Sequence, residues 1–321
     1  MCGIAGFVGI TDPIQRLAFV TSAGVGIDSR GGDASGYLSV DRKTGRLFHA
    51  KRVGTWLDSK RKFQKRVASG DMAMMHARWA TCGDKKAQDQ AHPFEIKREG
   101  RTKLFGMHNG CIWNAKESAT ANGRRFSVDS CELFELMADG DVEGIQDLDG
   151  YGVITWFVPG TNYVNMVRLS SHSEIVVVSL KTGGIAWAST WEILQDALEF
   201  AELEADYDFQ VPDVGRIYQF RDGGVYKTQV DGIQFESRMP EEAPESWESA
   251  LIAQWEKEQE EKDKLEEAYL DMLRNSNQDD PFEEPEKAPM FDAALRTSWE
   301  RDQDEYEDRH PEYPSIAAMY R

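Results

Sequence analysis

Residues 1–9, Met1-Cys2-Gly3-Ile4-Ala5-Gly6-Phe7-Val8-Gly9, open the chain and decide how the rest is read. From Gly3 to Val8 the run is short, apolar and bounded by glycine, the pattern of a strand buried in a sheet. Such a strand would pin the start of the chain in a fixed place. Loss of Met1 would leave Cys2 as the terminal residue, and a free α-amine has an ordinary pKa of roughly 7.7–8.0. Near neutral pH much of that amine is unprotonated and tethered beside the thiol, so the nucleophile would carry its own base. The flanking glycines let a substrate approach the backbone.

Further along, similar short runs recur, rich in β-branched and aromatic residues and punctuated by Gly, Pro or Asn. Strands are expected within 35–40, 46–54, 72–79, 103–112, 152–158, 174–180, 184–189 and 216–230. The last is a hairpin turning at Asp222-Gly223-Gly224. Helices are expected over 13–29, 56–68, 129–139 and 190–204, the third from the spacing of Leu133, Phe134, Leu136 and Met137. The class is α+β and strand-rich.

The 321 residues, 40% hydrophobic and 29% charged, suffice for one large core or two modest ones. No stretch approaches the roughly 20 apolar residues of a membrane span, and the first residues lack the order of a secretory signal, so an intracellular, cytoplasmic protein without a membrane partner is expected. Four cysteines without a C-x-x-C pair give neither a disulfide framework nor a zinc ribbon. The net charge of −19 is concentrated in one segment: residues 1–238 carry 28 Lys and Arg against 31 Asp and Glu, residues 239–321 carry 9 against 25. A near-neutral body argues against nucleic-acid binding, which needs a contiguous basic surface. Pro240 and Pro244 and the loss of strand patterning mark a boundary near Arg238, followed by an acidic, helical and partly disordered tail over 239–321. Within it Trp299, Tyr306, Tyr313 and Tyr320 recur every seven residues.

Four further blocks stand in order behind the Cys2 run: Ser29 to Gly36 (SRGGDASG), His76 to Gly83 (HARWATCG), Ala91 to Phe94 (AHPF) and His108 to Asn114 (HNGCIWN), followed by an acidic pair, Asp129 and Glu132, at the start of the third expected helix. Together with the terminal cysteine they resemble the class II glutamine amidotransferases, enzymes with an N-terminal nucleophile that hydrolyse the side-chain amide of L-glutamine and pass on the ammonia. The motifs cover about the first 130 residues. The resemblance implies a four-layer α-β-β-α sandwich with two antiparallel sheets and no metal or organic cofactor; it makes the body, 1–238, the glutaminase domain, while the tail, 239–321, resembles no part of the family.

The chemistry assigns tasks to these residues. Attack of Cys2 on an amide creates an oxyanion that needs two fixed donors, which the Asn109 side chain and the Gly110 N–H supply. Glutamine's carboxylate and ammonium must both be paired in a selective site. The resemblance gives the carboxylate to Arg78, with Trp79 and Thr81 shaping the same loop, and the ammonium to Asp129, Glu132 being the competing choice. Cys82 stands where the family often has histidine and contributes contacts. Arg30 and Asp33 hold the early loop against the N-terminal strand. His76, His92 and His108 lack tight metal-ligand spacing and are read as structural. The ammonia is expected to reach a separately encoded synthase or ligase. The alternatives are an amidohydrolase acting on another amide or γ-glutamyl substrate, and a non-catalytic interaction scaffold.

Overall fold

A computed structural model describes residues 2–59, 61–206, 210–221 and 224–227. The expected boundary at Arg238, the tail and its aromatic repeat lie outside these residues. The first sheet contains, from edge to edge, β3 (Arg46–Val53), β2 (Ala34–Asp41), β4 (Met72–Arg78), β1 (Gly3–Val8), β10 (Ile185–Ala188) and β9 (Val176–Ser179). The second contains β12 (Gly224–Lys227), β11 (Ile217–Arg221), β8 (Val164–Arg168), β7 (Gly150–Phe157), β6 (Arg101–Ile112) and β5 (Phe94–Arg98). Neighbouring strands pair antiparallel throughout.

Strand alternation builds the layers. In β1, Ala5 and Phe7 face outward onto α1 (Pro13–Asp28), α2 (Arg61–Val67) and α6 (Trp191–Phe200), where Phe7 meets Phe19 edge to face at 5.7 Å. Ile4 and Val8 face inward, into a core shared with the second sheet and rich in methionine: Met72, Met74, Met107 and Met166. The other face of the second sheet carries α3 (Ala115–Ala121), α4 (Asp129–Asp139) and α5 (Val142–Gln146), with Leu133, Phe134 and Leu136 of α4 fully buried. The result is the four-layer α-β-β-α sandwich. Gly6 is obligatory in it, since a Cβ there would strike the Trp187 ring in the central layer.

Local chemistry sets the ends. Asp12 caps α1, its carboxylate accepting from the Ile14 and Gln15 N–H groups at 2.7 and 3.0 Å, with Pro13 at the first helical position. The helix expected over 56–68 begins only at Arg61, because the N–H groups of Trp56 and Leu57 are taken by the Asp28 carboxylate at 2.9 and 3.0 Å. The helix expected to reach 204 stops at Phe200, where the chain turns through a left-handed Glu202 (φ 52°). Strands β5 and β8 and helices α3 and α5 were not among the elements expected; each has five to seven residues.

Candidate active site

Cys2 stands just ahead of β1 and is 9% exposed. Its sulfur accepts a hydrogen bond from the Trp79 N–H at 3.3 Å and lies 3.4 Å from the Trp79 carbonyl, to which the thiol can donate. Burial raises the thiol's pKa, so a base must remove its proton before it can act as a nucleophile. Arg30 donates from Nε to the Cys2 carbonyl at 3.3 Å and pairs with Glu174 at 2.9 Å. Asp33 instead reaches the loop after β4: its carboxylate accepts from the Ala80 N–H at 2.9 Å and its own N–H donates to the Arg78 carbonyl at 3.0 Å.

Arg78, the last residue of β4, is almost fully buried. Its guanidinium donates to the carbonyls of Cys82 and Asp84 at 2.7 and 3.0 Å, so the fork folds the 79–84 loop around itself. Opposite stands Asp129, at the first turn of α4 and 7% exposed. One carboxylate oxygen accepts from the Ile112 N–H at 2.9 Å; the other faces the Cys82 thiol at 3.5 Å and the Ser130 hydroxyl at 3.4 Å. Burial and the Asp129 charge push the Cys82 thiol up to about 11, which keeps it protonated and able to donate. No arginine or lysine among the described residues forms an ion pair with Asp129. Glu132, one turn along, is committed elsewhere: it pairs with Arg124 at 2.7 Å and accepts from Ser118 at 2.9 Å.

Cys2, Arg78, Trp79, Thr81, Cys82, Gly110, His108 and Asp129 therefore line one cleft. Gly110 sits where a side chain would collide with the Tyr151 carbonyl. Asn109, its neighbour in β6, points into the central layer, where its Nδ2 donates to the Ser189 hydroxyl at 3.4 Å. Ser189 in turn accepts from the Ile4 N–H at 2.8 Å, tying Asn109 to the strand that carries Cys2. The histidines are connectors. His76 donates from Nε2 to the His108 carbonyl at 3.0 Å, bridging the two sheets, while His108 contacts Ser130 at 3.0 Å and the Tyr151 carbonyl at 3.2 Å. Burial drives His76 down to about 3 and lowers His108, so both rings are neutral at physiological pH. Among the described residues no group of His, Cys, Asp and Glu is arranged to hold a metal ion.

Gln90, Ser130 and Ser189 did not stand out in the sequence. Gln90 lines the cleft and accepts the Asp84 N–H at 2.7 Å. The only sequence cue to Ser189 is a small polar residue ending an otherwise apolar strand.

No family model matches the chain. It is 32% identical over 124 residues to the glutamine–fructose-6-phosphate aminotransferase (isomerizing) of Bartonella henselae, covering 36% of this chain and 18% of that protein. The enzymes of the same name from Rhizobium meliloti (31% over 133 residues, 40% and 20%) and Sulfolobus acidocaldarius (34% over 117 residues, 36% and 19%) match similarly. Over 36–40% of its length the chain is thus similar in sequence to class II glutamine amidotransferases. The amidotransferase similarity spans about a fifth of the length of these relatives. The fold agrees: a glutamine phosphoribosylpyrophosphate amidotransferase from B. subtilis, solved with ADP and GMP, superposes with a TM-score of 0.55 at 17% identity, over 71% of this chain and 49% of that one. A structure described as the allosteric regulatory enzyme of purine biosynthesis gives 0.53 at 17% identity, over 71% and 48%. No helix among the described residues is long and apolar enough to cross a membrane.

Proposed function

We propose that the chain hydrolyses the side-chain amide of L-glutamine through a Cys2 thioester and releases ammonia to an acceptor. The observation that carries this reading is the buried Asp129 carboxylate, without a cationic partner among the described residues, in one cleft with Cys2 and Arg78. A buried carboxylate is costly unless a cation joins it. An amino acid supplies the missing ammonium, together with a carboxylate for Arg78, and its side chain then reaches towards Cys2. With Met1 removed, the Cys2 amine takes the thiol proton, directly or through a water, and sulfur attacks the amide carbon. The Asn109 amide and the Gly110 N–H hold the oxyanion. Ammonia leaves, and water hydrolyses the thioester to glutamate. Intact-mass spectrometry with a glutamine-analogue electrophile such as diazo-oxonorleucine tests this: one adduct on Cys2, absent from Cys2→Ala and suppressed by glutamine, is expected. An unreactive Cys2 in a processed chain overturns it.

The acceptor is proposed to be a separate synthase or ligase. Its recruitment is assigned to residues 239–321, whose 25 acidic against 9 basic side chains offer a charged docking segment. A chain lacking 245–321 is expected to keep glutaminase activity and lose that partner in co-purification.

A further inference from the structure

His92 has no task in the chemistry above, yet its surroundings are costly. It is 4% exposed, and neither ring nitrogen has a hydrogen-bond partner among the described residues. The ring lies against His76 with centroids 3.9 Å apart and a 32° tilt, and meets Phe94 edge-on at 4.8 Å. These contacts satisfy its carbon surface only. Nearly all buried polar groups in native proteins are paired, so two unpaired nitrogens on one ring call for a partner from outside the chain. A phenyl group would fill the same space without that penalty.

His92 is one of the residues lining the cleft that also contains Cys2, Arg78, Gly110 and Asp129. Its approach is built in: a Cβ at Gly36 would collide with the His92 carbonyl, so glycine on β2 makes room for this segment. On the other side, Lys51 donates to the carbonyls of Asp89 and Ala91, both at 2.7 Å, and fixes the backbone leading into His92. Burial holds the imidazole well below its usual pKa, leaving one N–H donor and one lone pair.

We infer that His92 is a substrate-contacting residue whose buried N–H holds an oxygen of the amino acid in the Cys2 cleft; this rests on the glutaminase reading. The test uses the full chain with Cys2→Ala, titrated with L-glutamine by calorimetry, alone and combined with His92→Phe or His92→Asn. Phenylalanine keeps the ring packing and loses both nitrogens, while asparagine keeps a donor and an acceptor. The expected result is glutamine affinity reduced about tenfold or more by His92→Phe and partly recovered by His92→Asn. In parallel, the imidazole ¹⁵N resonances of His92 in the Cys2→Ala chain should shift when glutamine is added, a readout that survives any folding defect of the variants. Unchanged affinity in a folded His92→Phe chain, or unmoved ¹⁵N resonances at saturating glutamine, overturns the assignment. If the Cys2→Ala chain binds no glutamine at all, the glutaminase reading fails first and takes this one with it.

Discussion

The Trp79 N–H points at the Cys2 sulfur from 3.3 Å, so the loop that follows β4 grips the residue that precedes β1. These residues are 77 positions apart, joined because β1 and β4 are neighbours with Gly3 opposite Ala77. The grip depends on Arg78, whose two bonds to Cys82 and Asp84 give the loop its shape.

Arg78→Lys keeps the charge and loses the fork. An ammonium is a point charge that cannot reproduce the planar, two-pronged geometry, so the loop slackens and carboxylate pairing weakens together. The KM for glutamine is expected to rise about tenfold or more, the equivalent of one charge-assisted hydrogen bond. Steady-state glutaminase kinetics check this, and an unchanged KM rejects it.

Asp129 and Glu132 lie three residues apart on one helix, and their environments predict opposite phenotypes. Asp129→Asn should leave the fold intact and raise the glutamine KM by about 100-fold, the upper range for a hydrogen bond to a charged group. Glu132→Gln should cost about 1–3 kcal/mol of stability by weakening the pair with Arg124, with KM little changed. Measuring Tm and KM on both variants separates the two roles.

Ser189→Ala removes the hydroxyl that accepts the Ile4 N–H and orients Asn109. A buried donor left unpaired costs about 1–3 kcal/mol. Because the hydroxyl positions Asn109 rather than touching substrate, kcat should fall while KM stays nearly constant. A fall in Tm with an unaltered kcat would show that Asn109 needs no such support.

Acid sensitivity follows from the buried rings. His76 titrates near 3 in the folded chain and near 6.5 when unfolded, and His92 is shifted the same way. Between those values the unfolded state binds protons that the native state refuses. Stability is therefore complete above pH 6.5 and declines as pH falls through this window. Chemical denaturation from pH 7 to 4 should show that decline, and His76→Gln, which can still donate to the His108 carbonyl, should flatten it.

Much of this was readable in the residues because the elements involved are long and strongly patterned. Helix α1 announces itself through Asp12-Pro13, and β1, β2 and β4 through apolar runs that end at glycine or at a charged residue. Strand β8 escaped because Asn165 sits buried at the second position of a five-residue run, its amide turned to the Trp156 carbonyl at 3.5 Å, so little apolar signal accumulates. Helix α3 buries only two alanines, Ala115 and Ala119, and propensity alone does not separate such a turn from a loop. The site divides in the same way. Residues next in sequence to a motif, such as Trp79 beside Arg78, could be read directly, whereas Gln90 and Ser189 gain their partners only through tertiary closure.

The reacting groups are mounted on opposite jaws. Cys2 and Arg78 ride on one sheet and Gly110 on the other, so the thickness of the layer between the sheets sets the gap across which any reaction must occur. Among the side chains that fill that layer are Met72, Met74, Met107 and Met166, unbranched chains that adjust their shape to the space available. It works as a compliant spacer, and a substitution there, remote from every polar group in the cleft, would retune the aperture of the site without touching a single ligand-facing atom.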